Sequence, residues 1–224
     1  MPVSRPTRRS VLVAATGAAL STAVGVTPAA GDAHITAENW LDARTVDLTV
    51  ASPAVGASLH VRVVLPTGHA EQPDRTWPVL HLLQGAHDDY TSWTRETDVK
   101  DFLAGQDVLV VMPSSGPTGI PTDWWNHGLS DGPDYETFQV DEVMELLGQR
   151  FRAGGRRAVA GVSTGGYGAL ALAARRPGVF GAAASYSGIL DTTAPGMPIL
   201  GIMDTERRDG LRRVSERVGG ERFS

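Results

Sequence analysis

The chain has 224 residues, 42% of them hydrophobic, a formal net charge of −5 and no cysteine. That length and apolar content suit one folded domain with a real core, not a disordered segment. The lack of cysteine excludes disulfides and thiolate-bound zinc, and the acidic balance argues against a nucleic-acid partner.

The first 33 residues read as an export signal. Thr7-Arg8-Arg9-Ser10-Val11-Leu12 is a twin-arginine pattern, Val11 to Val26 is an Ala-rich apolar stretch, and Thr27-Pro28-Ala29 and Gly31-Asp32-Ala33 are candidate cleavage sites. The apolar stretch is short and weakly hydrophobic for a bilayer span, which needs roughly 20 apolar residues, so no stable membrane insertion is expected after cleavage. Removing residues 1–33 takes away Arg5, Arg8, Arg9 and Asp32 and moves the net charge from −5 to −7. The expected organisation is a signal peptide over 1–33 and one domain over 34–224, secreted or wall-associated.

Thr45 to Val50 and Leu59 to Leu65 alternate as two antiparallel strands at one edge of a sheet, with a turn through Ala51-Ser52-Pro53 and Val55-Gly56. Val79 to Leu83, after Trp77-Pro78, reads as a buried strand. Val108 to Met112 is a continuous apolar run ending at Pro113, as in a central parallel strand. Val140, Val143, Met144, Leu147 and Phe151 follow helical spacing. Arg157 to Ala160 reads as a short buried strand and Gly166 to Ala174 as a small-residue helix stopping at Arg176-Pro177. Phe180 to Tyr186 is the next strand. Glu206 to Gly219 is charged, with Leu211, Val214 and Val218 at helical spacing. Strands alternating with helices predict an α/β fold, a mostly parallel sheet with helices on both faces.

Between the last strand–helix pair lies Gly161-Val162-Ser163-Thr164-Gly165. Gly-x-Ser-x-Gly in that context is a nucleophile elbow, a sharp turn that lifts the Ser hydroxyl off the sheet edge. Ser163 is the expected nucleophile. Two backbone N–H groups would hold the oxyanion, Thr164 after the nucleophile and Ala86 in the loop after the third strand. Trp93, Trp124 and Trp125 are candidates for an aromatic platform under an acyl chain or sugar, and Asp123 for the substrate wall. His87 and His127 lie in loops at strand C-terminal ends, where they would line the mouth or substitute as a base, whereas His81 alternates with core residues and reads as structural. No metal or cofactor is implied. All six histidines precede Ser163, although the base of an elbow enzyme follows its nucleophile in the chain.

Five stretches carry a resemblance: Leu82-Leu83-Gln84-Gly85 followed by Asp88-Asp89-Tyr90-x-x-Trp93, Thr122-Asp123-Trp124, Tyr135-Glu136-Thr137-Phe138, Gly161-Val162-Ser163, and Ser185-Tyr186-Ser187-Gly188. In this order and spacing, over roughly residues 40 to 200, the chain resembles the antigen 85 family of secreted mycolyltransferases and their actinobacterial esterase relatives. The resemblance implies an α/β-hydrolase fold and acyl transfer from a small-molecule or lipid ester, through an acyl-serine, to water or a sugar hydroxyl. Two departures matter. Gln84-Gly85-Ala86-His87 stands where that family has Asp-Gly-Leu-Arg, which speaks against trehalose as acceptor. By the family's spacing the triad acid and His would fall after Ser224, so the domain is expected to lack its last C-terminal strands. The alternative is a secreted, non-catalytic wall- or carbohydrate-binding protein on the same fold.

Overall fold

The computed structural model describes residues 31–123 and 133–191. The twin-arginine motif, Trp124, Trp125, His127 and Glu206 to Gly219 therefore lie outside the described residues. Seven strands form one sheet: β1 (His34–Trp40), β2 (Thr45–Ser52), β3 (Ala57–Val64), β4 (Trp77–Leu83), β5 (Leu109–Pro113), β6 (Ala153–Val162) and β7 (Ala182–Tyr186), in the order β1-β2-β3-β5-β4-β6-β7. The pairs β1–β2, β2–β3 and β3–β5 are antiparallel, and β5–β4, β4–β6 and β6–β7 are parallel. The sheet is thus mixed, with the expected parallel arrangement confined to its second half. β2 and β3 pair as anticipated but are not the edge. β1 lies outside them, and its exposed, largely polar residues and the register shift between Ile35 and Ala37 left little alternation to read.

Among the described residues five α-helices connect the strands. α1 (Ser92–Glu96) and α2 (Val99–Phe102) link β4 to β5. α3 (Tyr135–Thr137), a π-helical turn over Phe138–Glu142 and α4 (Val143–Phe151) link β5 to β6, and α5 (Thr164–Arg175) links β6 to β7. The chain steps one way along the sheet from β4 to β5 and the other way from β5 to β6 and β7. Right-handed crossovers then place α1 and α2 on one face and α4 and α5 on the opposite face. The packing agrees. Leu82, Val110 and Met112 meet Trp93, Val99 and Leu103 on the first face, while Val79, Leu109 and Val111 meet Phe138, Met144, Leu147 and Phe151 on the second. Leu83 and Val159 pack beneath α5 on Ala169 and Leu172. Those of the Val, Leu, Met and Phe side chains that are fully buried contribute about 1.5–3 kcal/mol each.

The reversal falls between β4 and β6. The loop leaving β4 turns toward one face and the loop leaving β6 toward the other, so a crevice opens at their C-terminal ends, where ligands bind in open α/β sheets.

Candidate active site

β6 delivers the chain to that crevice and α5 takes it away at once. The residue between them, Ser163, has φ 56° and ψ −119°. A side chain in that region costs about 1–3 kcal/mol and persists only where the surroundings impose it. Here the Ser163 N–H donates to the Tyr186 carbonyl at the end of β7 (2.9 Å), and its own carbonyl accepts from Tyr167 N–H (3.1 Å) in the first turn of α5. The neighbouring glycines make the turn geometrically possible. A Cβ on Gly161 would overlap the Gly165 carbonyl, and one on Gly165 would overlap the Gln84 carbonyl. The start of α5 thus rests directly on the ends of β4 and β6, leaving no room for side chains between backbones.

The loop after β4 stands beside Ser163. The Cβ direction of Gly85 points to within 3.5 Å of Ser163 Cβ. Ala86 is half-buried, and its N–H takes no partner among the described residues. Thr164 opens α5 and is fully buried, and N–H groups of a first helical turn have no intrahelical acceptor. The Ala86 and Thr164 N–H groups are thus unengaged among the described residues, one in the loop beside Ser163 and the other next to it in the chain. His87 follows in a left-handed conformation (φ 61°), with its N–H on the Pro117 carbonyl (2.9 Å) and its ring exposed. No described imidazole is hydrogen-bonded to Ser163. His81 is 1% exposed, and burial, aided by nearby Arg157, pushes its pKa down to about 3. It is a neutral core residue, as its position in β4 suggested.

Trp93 is anchored on the end of β4. Its Nε1 donates to the Leu83 carbonyl (3.0 Å) and its ring meets Tyr186 edge-on at 6.1 Å. Its other side lines an apolar groove of about 360 Å³, shared with Leu80, Leu82, Phe102, Ala184 and Tyr186, on the α1–α2 face of the sheet. Ser163 and the Gly85–His87 turn do not line that groove. Asp123 is tied to the start of the helix that follows. Its carboxylate accepts from Thr137 N–H (2.9 Å) and Thr137 Oγ1 (2.7 Å), and its backbone bridges Asp134. A carboxylate with both oxygens on the first turn of a helix fixes that helix.

Two groups escaped sequence reasoning. Arg62 grips Asp47 through two 2.7 Å bonds, and its third nitrogen donates to Thr94 Oγ1 (2.6 Å) beneath the Tyr90 ring. This nearly buried pair fastens α1 to the sheet. Asp47 and Arg62 are opposite each other in the β2–β3 register, so opposite charges on paired strands were the available signal. Gln84, 3% exposed, donates its side-chain amide to the Asp88 carbonyl (2.5 Å) and, more weakly, to the Gly116 carbonyl (3.4 Å).

Among the described residues no three His, Asp or Glu side chains group to hold a metal, and no helix is long and apolar enough to cross a membrane.

Residues 52–212 match the model of the Esterase family. An esterase of Mycobacterium tuberculosis, Rv1288, is 36% identical over 142 residues, 60% of this chain and 30% of the relative. The MPT51/MPB51 antigen of the same organism is 34% identical over 170 residues, 71% of this chain and 53% of its own length. The diacylglycerol acyltransferase/mycolyltransferase Ag85A of Mycobacterium gordonae is 31% identical over 204 residues, 87% of this chain and 57% of its own. The chain thus spans from under a third to somewhat over half of these relatives. Among solved structures, a ferulic acid esterase superposes with a TM-score of 0.58 at 25% identity, covering 76% of this chain and 70% of the other. MPT51 of Mycobacterium tuberculosis superposes with a TM-score of 0.52 at 26% identity, covering 80% and 60%. An elbow serine at the switch point of a mixed sheet and these matches agree: the chain belongs to the Esterase family, has the α/β-hydrolase fold and is antigen 85-like.

Proposed function

We propose that the chain is a secreted serine esterase or acyltransferase that works through an acyl-Ser163 intermediate. The observation that carries this reading is the positive-φ Ser163 between β6 and α5, with the Gly85–Ala86 turn beside it. Ser163 Oγ attacks the ester carbonyl, and the Ala86 and Thr164 N–H groups take the charge that develops on its oxygen. The bond to the alcohol then breaks and the alcohol leaves with the proton that the Ser163 hydroxyl gave up; water or a sugar hydroxyl next attacks the acyl-serine, and its proton returns to Ser163 Oγ as the acid or new ester is released. Names among the relatives point to ester substrates, from ferulic acid esters to mycolyl and diacylglycerol chemistry. Secretion rests on the twin-arginine reading of residues 1–33. A fusion of residues 1–40 to a pre-folded reporter should be exported, and the double substitution Arg8→Lys, Arg9→Lys should stop it.

The direct test is covalent. A fluorophosphonate or p-nitrophenyl acetate should add one phosphonyl or acetyl group to the intact protein, located on Ser163 by peptide mass, and Ser163→Ala should take up none. The second reading, a non-catalytic wall- or carbohydrate-binding protein, draws on the lack of any described imidazole bonded to Ser163. It requires no adduct under either reagent and saturable retention on a polysaccharide.

A further inference from the structure

We infer that Gln84 is a positioning residue for the oxyanion site: it holds the Ala86 peptide in place from behind. The inference rests on the acyl-serine reading above. Gln84 follows the last residue of β4, and its side-chain amide reaches forward to the carbonyl of Asp88 at 2.5 Å, closing a ring over Gly85, Ala86 and His87. The same nitrogen meets the carbonyl of Gly116 at 3.4 Å, in the loop after β5. A second tie between these loops runs from His87 N–H to the Pro117 carbonyl at 2.9 Å. The Ala86 peptide therefore lies between two anchors while its own N–H stays unengaged. A donor that is fixed yet free is what stabilises a developing oxyanion without reorganisation.

The orientation of the amide follows from its partners. Both are carbonyl oxygens, so both bonds require the amide nitrogen, and Gln84 Oε1 is left buried without a partner. An unsatisfied buried acceptor costs about 1–3 kcal/mol, and a methionine would fill the same volume without it. Stability alone does not call for glutamine here. The gain is in geometry: the backbone of Gln84 also sits against Gly165, so one residue references the Ala86 loop both to the first turn of α5 and to the β5 loop.

The test uses the full chain and two variants, Gln84→Met and Gln84→Glu. Acylation of Ser163 by p-nitrophenyl acetate is followed by intact mass, and amide exchange of His87, whose N–H is bonded to Pro117, is followed in parallel. Losing one oxyanion donor costs about 10²–10³ in rate, so a donor displaced but not removed should cost about 10–100-fold. Gln84→Met should lower the acylation rate constant by that amount, leave the half-saturating ester concentration unchanged, and speed His87 exchange without speeding exchange in β4 or α5. In Gln84→Glu, an ionised carboxylate would face two carbonyl oxygens, whereas the protonated acid can donate to one of them. The ratio of its rate to that of the wild type should rise as pH falls. A Gln84→Met chain acylated at the wild-type rate, a flat ratio for Gln84→Glu, or exchange raised throughout the sheet would overturn the inference. A wild type that is never acylated would instead overturn the acyl-serine reading, and the catalytic meaning of Gln84 with it.

Discussion

Gly165→Ala is the sharpest test of how the elbow is built. A Cβ at this position would overlap the Gln84 carbonyl oxygen and lie 2.7 Å from the Leu83 carbonyl oxygen and 2.9 Å from the Leu83 carbonyl carbon. Non-bonded heavy atoms settle at about 3.5–4.0 Å, so α5 and the end of β4 would have to part by roughly 1 Å. Overpacking costs about 1–3 kcal/mol, and here the obstruction is backbone on an element wedged between its neighbours, which places the cost near about 3 kcal/mol. For a domain of this size each kcal/mol shifts Tm by about 2–4 °C, so Gly165→Ala should melt about 6–12 °C below the wild type. Gly155→Ala supplies the control. It lies in β6 with nothing within 4 Å of its added Cβ, and should change Tm little or raise it by removing unfolded-state entropy. Paired thermal melts followed by circular dichroism read both. If Gly165→Ala melts within about 2 °C of the wild type, α5 is not pressed against β4 as described.

Two further outcomes follow from the core and the β2–β3 pair. The His81 pKa, about 3 in the folded chain, lies below its ordinary value of 6.5, so the unfolded chain binds a proton through that window and the folded chain does not. Stability conferred by the neutral ring is present above pH 6.5 and falls with pH, by up to about 1.4 kcal/mol per unit; urea titrations at pH 7.5 and 5.0 should show a loss of about 2 kcal/mol that His81→Leu lacks. Arg62→Lys keeps the charge but not the fork on Asp47, and should lower stability by about 1–3 kcal/mol while speeding amide exchange over residues 90–96. An unchanged urea midpoint would mean that the Asp47–Arg62 contact does not brace α1.

The parts of this molecule that announced themselves in sequence are those whose physics is local. β5 is apolar on both faces, so Leu109 to Met112 form an unbroken run. The elbow needs small residues at fixed offsets from Ser163, and Gly161 and Gly165 display that need as letters. β1 showed nothing comparable, because its residues face solvent and it owes its existence to backbone pairing with β2. The π-helical turn hid for a similar reason: Val140, Val143, Met144 and Leu147 keep a helical apolar stripe while the backbone inserts an extra residue at Phe138–Glu142. Gln84 and Asp123 were harder still. Sequence marked Gln84 only as a departure from a family pattern and Asp123 only as a wall candidate; the second partner of Gln84, Gly116, and the partner of Asp123, Thr137, are distant in sequence and meet them only through the fold. Trp93 stood out in the sequence as an aromatic, but nothing there marked it as the hydrogen-bond donor that seats on Leu83.

The Asp123 clasp has a consequence for how such a chain can change. Thr122 accepts from Tyr135 N–H, Asp123 bridges Asp134, and Thr137 closes the ring with two bonds to the Asp123 carboxylate. Both stems of the segment 124–132 are thereby welded to each other before they join the sheet. Glu136, held by Arg175 and Arg176, bolts that weld to the far end of α5. A closed stem separates the segment's sequence and length from the scaffold, since doubling a loop's length costs only about 0.6 kcal/mol of closure entropy. Between those stems the sequence carries Trp124, Trp125 and His127. Substitutions there can accumulate without loosening the stem, Ser163 or the sheet that aligns it.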